Sequence, residues 1–178
     1  MKKINLISVL FVSIILAFSC SIPDSWDDVN NDAILKSGEK HLVPFKSDFK
    51  ITGSESTTEG GLMFQLLYGT GNATHMGKTG LLLNEIITMN QNLVWTAVAE
   101  VVLTGANGDE LHFTYESEFD VSEFFAGTSD KIIVAGEGTI TGGSGRFEDA
   151  SGNIVYNGVF YPMEPTKSIA SFDGEIKY

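Results

Sequence analysis

Cysteine is almost missing from this chain: Cys20 is the only one. A lone thiol can neither close an internal disulfide nor build a cysteine metal cluster, so the fold must be held by packing and backbone hydrogen bonds. Histidine is sparse too. His41, His75 and His112 are widely scattered, and no zinc centre is expected from them. Basic residues are few, with 11 Lys and Arg against 23 Asp and Glu and a formal charge of −12. Such a surface repels phosphate backbones, which argues against a nucleic-acid partner. No cofactor signature is present. The glycine-rich stretch lacks the lysine of a phosphate-binding loop, and no Ser-His-Asp arrangement has a local signature. Beyond residue 20 there is no clear long helix either.

What is present begins with a segment unlike the rest. Lys2 and Lys3 precede an apolar run, Ile4 to Phe18, broken only by Asn5, Ser8 and Ser13. The run is too short and wrongly flanked for a stable membrane span, and it reads as a secretory signal over residues 1–19. Its ending, Leu16-Ala17-Phe18-Ser19-Cys20, resembles the lipobox of bacterial lipoproteins. That resemblance implies lipidation of Cys20, removal of the signal, and anchoring in the bacterial cell envelope at the outer membrane. The bland alternative is an ordinary signal peptide beside a stray thiol. Loss of Lys2 and Lys3 with the signal makes the mature chain two charges more negative. Residues 20–40 read as an acidic tether, with Asp24, Asp27, Asp28, Asp32 and Glu39.

From Leu42 onward the apolar period is two. In Phe45 to Ile51 the apolar residues are odd-numbered and the charges even-numbered. Leu111 to Val121 is the cleanest run. It sets Leu111, Phe113, Tyr115, Phe119 and Val121 against His112, Thr114, Glu116, Glu118 and Asp120. Further runs fall at 62–68, 77–89, 92–104, 131–141, 153–161 and 167–178. In 77–89 the alternation is blurred, and a helix competes there, though Gly77 and Gly80 weigh against it. Eight strands with one wet face each predict an all-β domain over 41–178, an eight-stranded antiparallel barrel of lipocalin-like outline. A β-sandwich is the alternative.

One hairpin can be set in register. A two-residue Asn107-Gly108 turn would pair Leu103 with His112 and mix the two faces. A three-residue loop, Ala106-Asn107-Gly108, instead pairs Leu103 with Leu111, Val101 with Phe113 and Trp95 with Phe119, with Gly108 left-handed.

Thr141 to Gly152, with Gly142-Gly143-Ser144-Gly145-Arg146-Phe147 at its heart, resembles the Gly-Gly-Thr-Gly-x-Phe segment of the allene oxide cyclase and dirigent barrels. The resemblance implies an eight-stranded, lipocalin-like barrel; it carries over no catalytic residue. Read physically, the knot is a tight turn, with Phe147 as a plug at one barrel end and Arg146 paired to a carboxylate. Gly136 and Gly138 share a face with Ile132, Val134 and Ile140. Inward glycines permit a sharp bend, and beside Gly174 they also suggest a narrow interior cleft.

Two side chains stand out as catalytic candidates. His75 lies among small residues, where a general base could sit, though a turn histidine bonded to backbone is the plainer reading. Glu100 faces solvent in this register and would be a buried acid if the faces were reversed. The interior is expected to be lined by Phe45, Phe49, Trp95, Phe113, Tyr115, Phe172 and Ile176. The first functional reading is a lipid-anchored envelope barrel serving as a binding or structural module. The alternative is an isomerase- or cyclase-type enzyme acting on a small apolar substrate. The partners to weigh are the membrane through the lipid, a small apolar ligand, and further copies of the chain.

Overall fold

Alternation in sequence becomes alternation of burial. In the run from Glu110 to Asp120, Leu111, Phe113, Tyr115 and Phe119 are buried while Thr114, Glu116 and Glu118 are exposed. The computed structural model describes residues 41–178. The expected signal at 1–19, Cys20 and the tether at 20–40 lie outside the described residues.

Eight strands follow one another: β1 (Val43–Glu59), β2 (Leu62–Ala73), β3 (Gly77–Thr88), β4 (Val94–Gly105), β5 (Glu110–Asp120), β6 (Ile132–Gly143), β7 (Ser151–Phe160) and β8 (Ile169–Lys177). Each pairs antiparallel with the next, and β8 returns to β1, so the sheet is a closed barrel. Closure rules out the sandwich alternative. The ambiguous 77–89 segment is strand β3, because both β2 and β4 hydrogen-bond to it along its length.

The β4–β5 hairpin has the expected register, with Leu103 opposite Leu111, Val101 opposite Phe113 and Trp95 opposite Phe119. Gly108 has φ +86°, a conformation costly for any side chain. Its N–H donates to the Gly105 carbonyl at 3.0 Å, and the Gly105 N–H donates to Asp109 at 2.9 Å. One element is longer than the pattern suggested. β1 continues past an irregularity at Ile51/Gly53 to the Gly60-Gly61 turn; after a last bond from the Ile51 N–H to the Ser168 carbonyl at 3.0 Å it pairs with β2 alone. This extension is polar on both faces, which discourages edge-to-edge pairing.

Rings fill the middle of the barrel. Phe172 lies 4.9 Å from Phe113, 5.1 Å from Tyr156 and 6.2 Å from Phe49, centroid to centroid. The first end, where β1 begins, is closed by Phe147, which sits on a 3-10 turn, is fully buried and packs 5.0 Å from Tyr178. Arg146 fastens this turn. Its Nε lies 3.2 Å from Asp109, its guanidinium also donates to the His75 carbonyl, and it rests 5.0 Å from the Phe147 ring. The opposite end carries a short helix, α1 (Ser122–Phe125), whose Phe125 packs 5.6 Å from Trp95.

Candidate functional site

Most of the interior is apolar; of its buried polar side chains, Ser47 and Thr79 lie apart, while Gln65, Glu85 and Ser117 occupy nearby inward positions of neighbouring strands. Gln65 of β2 faces Glu85 of β3, Glu85 faces Ala99 of β4, and Ala99 faces Tyr115 of β5. Two residues along β5 is Ser117, followed across the sheet by Gly136 of β6 and Tyr156 of β7. Glu85 is only 6 % exposed. The Tyr115 phenol donates to its Oε1 at 2.9 Å. The Tyr156 ring lies 4.5 Å from that of Tyr115.

The electrostatics of this belt follow from burial. Loss of water pushes the Glu85 carboxyl up from 4.5 to about 7, and the hydrogen bond from Tyr115 only partly opposes the shift. Tyr115 and Tyr156 are both pushed up, first by burial and then by the nearby Glu85 charge. Ser117 Oγ is buried with no hydrogen-bond partner. Such a belt can hold a proton, and the two tyrosine rings in it are tightly seated. A Cβ on Gly158 would lie 2.3 Å from the Tyr156 hydroxyl, and one on Gly138 2.8 Å from Tyr115 Cβ. A Cβ on Gly174 would meet the Asn153 carbonyl oxygen at 2.0 Å. The inward glycines therefore seat rings and neighbouring strands, and the narrow cleft suggested beside them does not form.

The sequence-derived candidates occupy different places. Phe45, Phe49, Phe113, Tyr115, Phe172 and Ile176 are buried inside. Trp95 is inward but only half-buried, near the α1 end, with its indole N–H unpartnered. His75 sits in a left-handed turn at the first end, with φ +66°. Its Nε2 donates to the Pro44 carbonyl at 3.1 Å, and its ring packs 5.5 Å from Tyr178. Glu100 is exposed on the outer wall opposite Asn84 and Thr114. The structure does not bring His75 and Glu100 together, and neither reaches the interior belt. No group of three or more His, Cys, Asp or Glu side chains among the described residues could hold a metal.

Sequence reasoning passed over Glu85. In β3 the odd positions hold Leu81, Leu83 and Ile87, and the even ones hold Leu82 and Ile86, so neither face was plainly the inner one. The bracketing of Glu85 by Leu83 and Ile87 at period two was the available signal.

The outer wall holds a second feature. β2 carries apolar side chains on both faces. Phe64 and Tyr68 point outward, 39 % and 38 % exposed, with Leu66 half-buried between them, while Met63, Gln65 and Leu67 point in. Phe64 aligns with Ile86 of β3 and Val98 of β4, and Tyr68 aligns with Leu82 and Val102. Beside this patch lies a concave saddle of about 970 Å³ over β3 to β6. Ile86, Val98 and Ala135 contribute its apolar part, and Glu100, Glu116, Glu118 and Glu137 its charge. Glu116 and Glu137 lie directly opposite each other on adjacent strands. Like charges so placed repel.

Fold and site together define a closed, up-and-down antiparallel barrel with an aromatic interior and an apolar, acid-bordered outer wall. The chain matches no protein-family model, no curated protein and no solved structure.

Proposed function

We propose that this chain is a lipid-anchored protein of the bacterial cell envelope, and that its barrel is a binding module whose outer wall, not its interior, meets the partner. The observation that carries this reading is the outward exposure of Phe64 and Tyr68 on β2, continued by Leu82, Ile86, Val98 and Val102 on the next two strands. Exposed apolar patches of this kind mark interaction surfaces. The adjoining carboxylates select the partner: Glu100, Glu116, Glu118 and Glu137 favour a surface with basic groups set among apolar ones. A second copy fits less well, since a two-fold contact over this saddle would bring these acids against their counterparts. The packed interior speaks against a small apolar ligand there. The enzyme reading loses its support, because His75 and Glu100 stand apart and outside the core. Anchoring rests on the lipobox resemblance around Cys20.

The test titrates the purified chain with a synthetic peptide alternating leucine and lysine, at low and high salt. Binding that weakens with salt, and that is lost in Ile86→Lys/Val98→Lys, supports the reading. Undiminished binding by that double variant would show that the outer wall is not the site.

A further inference from the structure

The buried carboxyl lies directly behind the saddle. Glu85 points inward from β3 between Asn84 and Ile86, which point out into the saddle. Ala97 and Ala99 alternate in the same way with Val98, and Tyr115 and Ser117 with Glu116. Every group that faces Glu85 is neutral. Gln65 comes from β2, Ala97 and Ala99 from β4, Tyr115 and Ser117 from β5, and Tyr156 from β7. Glu85 is the only charged type among the buried polar side chains of the described residues. No lysine, arginine or histidine among them is buried to compensate it.

An ionised carboxylate here would accept one hydrogen bond, from Tyr115, and would have no cation beside it. The protonated acid carries no charge to be solvated. On β4 the layer beside it is built of Ala97 and Ala99, so this part of the β3–β5 wall carries little side-chain bulk. We infer that Glu85 is a proton-operated latch: with its carboxyl protonated the β3–β5 wall is closed, and loss of that proton to solvent loosens the wall. The raised affinity of Glu85 for its proton puts the change near neutral pH, within the range an envelope protein meets. The latch stands apart from the binding reading, and its test needs no partner.

The experiment is native-state amide hydrogen exchange of the full chain at pH 5 and pH 8, corrected for the intrinsic pH dependence of exchange. Protection over residues 77–120 should fall on the order of 50-fold between the two pH values, from the displaced proton equilibrium. In Glu85→Gln, which keeps a neutral isostere, the fall should shrink to about 3-fold or less. An equal fall in both proteins, or none in the parent chain, overturns the latch. Tyr115→Phe keeps the idea testable if Glu85→Gln does not fold. Removing the one donor that favours the ionised acid should move the midpoint of the protection change to higher pH. A midpoint that stays or moves down refutes the assignment.

Discussion

The Tyr115 hydroxyl and Glu85 Oε1 meet at 2.9 Å in the barrel core, a phenol and a carboxyl with no cation to balance them. Barrel interiors are filled most cheaply with hydrocarbon, so this pair makes the stability of the barrel depend on pH.

The folded state keeps the Glu85 proton up to about pH 7, whereas the unfolded chain releases it near 4.5. Between those values the native state binds the extra proton, so stability is fully present below about 4.5 and falls as pH rises through 7. By proton linkage the loss is about 3 kcal/mol. Denaturant melts at pH 4.5 and pH 8 should show it. Glu85→Gln should narrow the gap and be the more stable protein at pH 8. A parent chain steadier at pH 8 than at pH 4.5 would contradict the sign.

Phe147 closes the first end with no exposed surface, against Tyr178. Phe147→Ala should cost about 3–5 kcal/mol, the range for emptying a buried aromatic site. Equilibrium unfolding in urea measures this, and a loss under 1 kcal/mol would mean that the knot is not a plug.

Gly108 stands at φ +86° in the three-residue β4–β5 loop, with nothing within 4 Å of where a Cβ would project. Strain in Gly108→Val would therefore come from the backbone alone, on the order of 1–2 kcal/mol. Gly108→Asn, which tolerates the left-handed region better, should recover part of it. Equal melting temperatures for the valine and asparagine variants would argue against a backbone origin.

If the proposed lipid anchor at Cys20 holds, Cys20→Ala should shift the protein from the membrane fraction to the soluble one when expressed in a bacterium that lipidates such signals. Immunoblots of separated fractions decide it, and a variant still sedimenting with membranes would place the anchor elsewhere.

Period-two patterning determined a good deal by itself. It placed eight strands and aligned β4 with β5 to the residue, because a one-residue slip would have turned Phe113 and Leu111 into solvent. It placed the rings of Phe45, Phe49, Phe113 and Phe172 inside, since those strands carry one apolar and one polar face, while Phe147 was placed by the glycine-rich knot around it. Tertiary structure decided what pattern leaves open. In β2 both faces are apolar, and only its pairing with β1 and β3 sends Phe64 and Tyr68 outward and Gln65 inward. In β3 the same ambiguity hid Glu85, whose burial follows from closure of the sheet around it. The meeting of Tyr115 with Glu85 spans thirty residues of sequence, and no local signal carries it. Alternation along a strand reports one face against the other; which face becomes the inside is fixed by the neighbours that close the barrel.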